Sequence, residues 1–169
     1  GTSAEEAAVK LAAFKMGYLN KMTEAAINGD RAGFNAMREI VRSKRGLGQY
    51  FEPNELAEYF EQLKPKIEAS VNIKKLVRAT EGFAGEPDMT ANATRFVLGS
   101  MTNSRNTAAN AAISWLQKAK YGPGTAKRIM QFAENPSAEN FNIMFSKTQD
   151  FLEKTQLTRA FVESVKQEA

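Results

Sequence analysis

Apolar residues recur at spacings of three and four along most of this chain, and that spacing is the period of an α-helix. The clearest example is a long first helix, one face of which is formed by Ala7, Leu11, Phe14, Tyr18, Met22 and Ala25. No segment shows the alternation of apolar and polar residues between turns that is typical of a strand. The pattern therefore predicts an all-α fold, a compact bundle of seven or eight short to medium helices without a β-sheet.

Residues that begin or end helices divide this pattern into segments. Asp30 is suited to cap a second helix, and Pro53 to occupy the first turn of a third. We expect Pro65 to interrupt the third helix and a separate helix to follow it. After a cap at Ser137, the expected apolar face of the next helix is formed by Phe141, Met144, Phe145 and Leu152.

The length of 169 residues is that of one domain with a sizeable core, or of two small lobes. Residues 82–87 contain two glycines and a proline and form the strongest helix-breaking segment. We therefore expect either a single helical domain over residues 1–169, or two lobes, residues 1–81 and 88–169, joined by this segment. The opening glycine, threonine and serine are similar to an expression scar, which is consistent with a fragment of a larger protein.

Cysteine and histidine are absent from the sequence. Their absence excludes a disulfide framework, a thiolate nucleophile, a zinc finger and an imidazole general base. Carboxylate chemistry and a site for a hard cation stay open. We predict a protein that is not an enzyme and needs no cofactor. The start of the chain lacks the apolar region of a signal peptide, and no apolar run has the length of a membrane span, so we expect a cytoplasmic or virion-associated location.

One long stretch, residues 89–133, contains six basic residues and no acidic one. Its formal charge is +6, whereas the remainder of the chain carries −2. The six basic residues are Arg95, Arg105, Lys118, Lys120, Lys127 and Arg128. A stretch without carboxylates favours an anionic ligand or an acidic partner surface.

A helix predicted near residues 104–120 has an apolar face and a polar face. The apolar face is formed by Ala108, Ala109, Ala112, Ile113, Trp115, Leu116 and Ala119. The polar face is formed by Asn106, Thr107, Asn110, Ser114, Gln117 and Lys118. Amides and hydroxyls donate and accept hydrogen bonds, so this face suits a hydrated interface with nucleic acid or protein. A solvated surface helix accounts for the same pattern equally well.

A glycine turn, residues 121–124, opens the next helix. Free backbone amides and the helix dipole favour an anion at such a helix start. The spacing is not that of a Walker A loop. The predicted surface for a nucleic acid or another partner consists of Asn106, Asn110, Gln117, Lys118, Lys120, Gly122, Gly124, Thr125, Lys127 and Arg128.

The same turn resembles the second half of a helix-hairpin-helix motif, since Gly122, Ala126 and Ile129 match its G-x-x-x-A-x-x-I core. The Pro-Gly that precedes this core in the family is missing, because Ala119 and Lys120 stand there. The resemblance implies that backbone amides hold DNA phosphates without reading the base sequence. It is confined to the turn and the helix start, and a short Gly-Pro-Gly junction also occurs as a purely structural device.

Two further clusters have simpler explanations. Basic residues end the second helix, where cations are favourable, and these are Arg38, Arg42, Lys44 and Arg45. Glutamates recur at every third position at Glu52, Glu55, Glu58 and Glu61. A glycosidase needs two acids that converge in a cleft, whereas this spacing turns around a helix and is typical of a solvated face.

Three functions remain open on the sequence alone. The first is a non-enzymatic helical interaction or assembly module that binds a protein partner or other domains of its parent chain. Its short amphipathic helices resemble, in general character and not in any motif, helical pieces of large virion proteins of phages and mobile elements. The second is a nucleic-acid-binding domain that contacts DNA or RNA phosphates through residues 89–133. The third is a carboxylate-based hydrolase. We favour the first, with the second close behind.

Overall fold

The computed structural model describes residues 2–80, 89–98 and 102–168. Within these ranges the chain is all-α, as predicted, with eight α-helices, one 3₁₀ helix and no strand. The α-helices are α1 (Thr2–Ile27), α2 (Arg31–Arg42), α3 (Pro53–Ala79), α4 (Met89–Leu98), α5 (Thr102–Lys118), α6 (Pro123–Glu134), α7 (Ala138–Lys147) and α8 (Phe151–Glu168). The 3₁₀ helix, which the sequence pattern did not indicate, covers Gly46–Tyr50.

The helices form two compact units, Gly1–Ile67 and Glu68–Ala169. The division between these units falls within α3. The segment that we expected to join two lobes, residues 82–87, lies outside the described residues. A joint at that segment therefore stays a prediction.

Helix α3 begins at Pro53 as predicted, and the Glu52 amide donates a hydrogen bond to Glu55 Oε1 at 2.8 Å. The predicted interruption at Pro65 is wrong, because α3 continues through this residue. A proline inside a helix removes one backbone donor and crowds the preceding turn. Leu63 and Ala69 are buried on either side of it, so packing of the apolar face holds the helix together across the proline.

The core of the first unit lies among α1, α2, the 3₁₀ helix and the start of α3. Its buried apolar residues are Met22, Val41, Phe51 and Leu56. The Tyr59 hydroxyl donates to the Leu19 carbonyl at 3.1 Å and lies 2.8 Å from the Thr23 hydroxyl. Asp30 caps α2 as predicted, since its Oδ1 accepts from the Gly33 amide at 2.9 Å.

Aromatic rings fill the core of the second unit. Phe132, Phe141 and Phe161 are fully buried there. Trp115 stacks on Phe132 with 6.3 Å between ring centroids, and its Nε1 donates to Ser164 Oγ at 2.8 Å. The prediction that Trp115 packs in the core is confirmed, and its single polar atom is satisfied by a neighbouring helix.

Helix α7 is shorter than predicted. Its cap is confirmed, because Ser137 Oγ accepts from the Asn140 amide at 3.1 Å. Phe141, Met144 and Phe145 are buried, but Leu152 belongs to α8 and is exposed. The placement of Leu152 on the same face was wrong because the apolar period was continued past the end of α7.

Candidate interaction surfaces

The first half of α1 is open to solvent on all sides, since every residue from 3 to 14 is exposed. Further along the same helix face, Tyr18 packs against the core of the first unit and Met22 is fully buried. Leu11 and Phe14, on that face, remain 37% and 40% exposed. The core-facing stripe of α1 therefore extends beyond the core of its own unit. We call its exposed part the α1 stripe, which consists of Ala4, Ala7, Leu11 and Phe14.

Helix α1 joins its unit at Lys15. The Lys15 ammonium lies 2.7 Å from Glu55 Oε1 and 5.8 Å from the centre of the Phe51 ring. Val9 and Met16 lie on the opposite side of the helix from the α1 stripe and are 69% and 66% exposed. Apolar surface is thus present on both sides of this half-helix, but only the α1 stripe continues a face that is buried further along.

The predicted polar face of α5 is present in part. Asn110, Gln117 and Lys118 are exposed, whereas the Asn106 side chain lies outside the described residues. Ile113, predicted on the apolar face, is exposed. Ser114, predicted on the polar face, is only partly exposed. The buried face is centred on Ala108, Ala112 and Trp115, so it is narrower than predicted.

A cavity of about 380 Å³ lies between α4, α5 and α8. Its polar lining residues are Thr107, Asn110, Ser114, Lys118, Gln156, Glu163, Ser164 and Gln167. The sequence interpretation missed the contribution of α8, although Gln156, Glu163 and Gln167 share one face by their spacing. Glu163 is the only acid among the described lining residues, so the cavity does not provide the opposed carboxylates of a glycosidase.

A second concave surface lies where α5 ends. It brings together Gln117, Lys118 and Lys120, three residues of the predicted partner surface, beside Ala126 of α6. Lys127 is also exposed. This part of the acid-free stretch therefore presents basic and amide groups to solvent.

The glycine turn before α6 is occupied by a carboxylate of the same chain. The Gly122 amide donates to Glu153 Oε1 at 3.0 Å, and the Thr125 hydroxyl donates to Glu153 Oε2. Thr125 is buried. The helix start that was predicted to favour an anion thus holds one, and Glu153 supplies it. Asp150 accepts from the Glu153 amide at 3.0 Å and so caps the start of α8, a helix start that the sequence interpretation did not identify.

Arg128 lies next to this carboxylate site. Its Nη2 donates to the Thr125 and Thr148 hydroxyls at 3.2 and 3.4 Å, while its Nε is buried without a hydrogen-bond partner. A Cβ added to the exposed Gly124 would lie 3.4 Å from the Arg128 guanidinium. The Tyr121 hydroxyl is likewise buried without a partner, and burial, together with the charge of Glu153, raises the pKa of Tyr121. Gly122, Thr125 and Arg128 are therefore engaged within the chain.

The basic cluster at the end of α2 has structural contacts. The Arg38 guanidinium lies 5.5 Å from the centre of the Phe34 ring, and the Arg42 guanidinium lies 5.0 Å from that of Phe60. These cation–π contacts cover aromatic rings at the edge of the first core. These contacts explain the positions of Arg38 and Arg42 without a phosphate ligand.

The described part of the chain contains no group of acidic residues arranged to hold a metal ion. Among its helices, none combines the length and the apolar character that are needed to cross a bilayer. No protein family, curated protein or solved structure matches the chain.

Proposed function

We propose that this chain is a non-enzymatic helical interaction module that docks on a protein partner through the α1 stripe. One observation carries the proposal. The stripe continues the face by which Tyr18 and Met22 enter the core of the first unit, and no part of the chain that the structure describes covers it. Burial of Leu11 and Phe14 against a partner removes apolar surface from water, which stabilises a complex by about 25 cal/mol per Å².

A partner would also stabilise the helical backbone of the exposed half of α1. The exposed end of a helix frays when none of its side chains is packed, even where the rest of the helix is held by a core. Residues 3–14 are the exposed end of α1, and none of their side chains is buried. Single exposed apolar residues are ordinary, but a stripe in register with a buried face is a typical docking surface. A partner helix stabilises the fold of this half as well as its position.

A structural role in a larger virion protein is one form of this function, because particle assembly requires many contacts of this kind. The carboxylate alternative has less support. Among the described residues that line its cavity, Glu163 has no second acid beside it, and Glu55 is paired with Lys15.

The proposal is tested by photo-crosslinking in the cells that produce the protein. A photoreactive residue at position 11 is expected to yield a discrete adduct, and Phe14→Glu in the same chain should remove it. The matched control is a photoreactive residue at position 9, on the opposite side of the helix. If position 11 gives no adduct, or none that differs from the background at position 9, the α1 stripe is not a docking surface.

A second candidate is a nucleic-acid-binding domain, favoured by the concave surface that groups Gln117, Lys118 and Lys120. Phosphate contacts from lysine give an affinity that falls steeply with salt. We expect Lys118→Glu with Lys120→Glu to weaken binding of duplex or single-stranded DNA at low salt by on the order of 10-fold or more. Lys147→Glu with Lys154→Glu is the control with the same change of charge. Absence of binding by the unsubstituted chain at low salt removes this candidate.

A further inference from the structure

We infer that the partner of the α1 stripe is a second copy of this chain, packed antiparallel on the first. This inference rests on the proposed function, because it names the partner of the same surface. Two properties carry it: the order of small and large side chains along the stripe, and the order of the charges beside it.

The small side chains of the stripe come first and the large ones follow. Ala4 and Ala7 precede Leu11 and Phe14. In an antiparallel pair with a two-fold axis beside residue 9, Phe14 faces Ala4 of the second copy, and Leu11 faces Ala7. Each large side chain then packs against a small one. A parallel pair instead sets Phe14 against Phe14 and Ala4 against Ala4, which crowds one end and leaves a gap at the other.

The charges beside the stripe favour the same direction. Glu5 and Glu6 lie in the first turns of α1, and Lys10 follows on the same flank of the stripe as Glu6. In antiparallel packing about residue 9, Glu6 of one copy lies close to Lys10 of the second copy. The two residues are less than one helical turn apart along the axis. A parallel pair sets the glutamates of both copies side by side, which is unfavourable. The helix dipoles also run in opposite directions in the antiparallel pair, which is a favourable alignment.

A two-fold pair of this kind is closed, because both copies use the same surface. Val9 and Met16 point away from the pair and stay exposed. They therefore supply the control for the first test, which is the mass of the full chain by sedimentation equilibrium over a range of concentrations.

We expect twice the chain mass at high concentration. Leu11→Glu with Phe14→Glu should raise the dissociation constant by on the order of 100-fold or more, since it places charge in an apolar contact. Val9→Glu with Met16→Glu makes the same change of charge on the opposite side and should leave the mass unchanged. A single chain mass at all concentrations overturns the inference.

The direction of packing is tested with cysteines, since the chain contains none. A mixture of Ala4→Cys and Phe14→Cys chains should form a mixed disulfide on oxidation. Ala4→Cys alone should not, because its two copies lie about 15 Å apart along the axis, beyond the reach of about 7 Å between Cα atoms. A disulfide from Ala4→Cys alone, without the mixed product, overturns the antiparallel arrangement.

The photo-crosslink at position 11 distinguishes self-association from docking on a different protein. An adduct with twice the chain mass agrees with self-association. An adduct with another protein, together with a monomeric chain, overturns the second-copy inference and leaves the docking function in place. No adduct at position 11 overturns the docking function itself.

Discussion

Glu153 connects two helices of the second unit through the two oxygens of one carboxylate. It accepts from the Gly122 amide and from the Thr125 hydroxyl, and Arg128 donates to the same hydroxyl. An acceptor at a helix start satisfies a backbone donor that the helix itself leaves unpaired. The glycine turn is therefore a structural junction whose anion comes from the chain.

Replacing Glu153 by alanine removes both acceptors at once. The buried Thr125 hydroxyl and the Gly122 amide then lack their partner, so we expect Glu153→Ala to lower the free energy of unfolding by about 1–3 kcal/mol. Chemical denaturation measures this change. Glu163→Ala, an exposed position on the same helix, is the control and should change it by less than about 0.5 kcal/mol. If the two variants were equally stable, Glu153 would not stabilise the contact between α8 and the glycine turn.

Lys15 and Glu55 attach α1 to α3 with 2.7 Å between Nζ and Oε1. Burial raises the pKa of Glu55, but the hydrogen bonds from Lys15 and the Glu52 amide, with the charge of Lys15, outweigh it and leave the pKa lowered. A carboxylate with a lowered folded pKa contributes stability above its unfolded pKa, about 4.3. That contribution is lost as the pH falls through the lower folded value.

We therefore expect Lys15→Met to destabilise the chain at pH 7 by up to about 1 kcal/mol, as is usual for a partly exposed pair. The deficit should shrink as the pH falls below about 4. Denaturant unfolding at both pH values measures it, with Lys21→Met, an exposed lysine of the same helix, as control. A deficit that is independent of pH would show that Lys15 acts by packing and not through Glu55.

The sequence predicted that the glycine turn favours an anion. It did not predict that Glu153 is this anion. The turn residues and the helix start are neighbours in the chain, so their anion preference follows from local rules. Glu153 is 28 residues from Thr125 and reaches it only because α8 packs near α6. Such a pairing depends on tertiary structure. The cap at Asp150 indicates that a helix begins there, but it does not indicate that Glu153 reaches Thr125.

At the scale of elements, α3 shows how packing outweighs a local rule. Pro65 lies inside the helix, where it removes a backbone hydrogen bond, yet the helix continues between the buried Leu63 and Ala69. The sequence rule that a proline ends a helix was correct about the local cost and wrong about the outcome. The energy of burial on both sides could not be read from local sequence.

A proline in this position still weakens the helix. We expect Pro65→Ala to raise the free energy of unfolding by about 1 kcal/mol, a fraction of the roughly 3 kcal/mol cost of proline in a helix interior. Pro53→Ala is the matched control, since a first-turn proline removes no helical hydrogen bond. Thermal or chemical unfolding of both variants measures the difference. A loss of stability in Pro65→Ala would mean that the surrounding structure depends on the proline.

Helix α1 shows the limit of periodicity. The predicted face, from Ala7 to Ala25, is the face that enters the core, but only its second half is covered by the described chain. A period of three and four identifies which side of a helix avoids water. It does not tell whether the cover belongs to the same molecule.

At the scale of the whole molecule, the fold class follows from the sequence because helical period, caps and breakers are local signals. The division into units Gly1–Ile67 and Glu68–Ala169 does not, because each unit is defined by contacts between distant segments. Each unit has its own apolar core, and the α1 stripe lies outside the first of them. This leaves the chain with an apolar surface that its own core does not use.

The most direct test is hydrogen exchange of the α1 amides in the full chain at low and high protein concentration. In dilute solution, we expect the amides of residues 5–14 to exchange much faster than those of residues 19–25, because no described residue covers the first half of α1. At high concentration, the α1 stripe should become protected, and Leu11→Glu with Phe14→Glu should abolish that gain. Equal protection of both halves in dilute solution would contradict the account, because it would mean that the chain already covers the stripe itself.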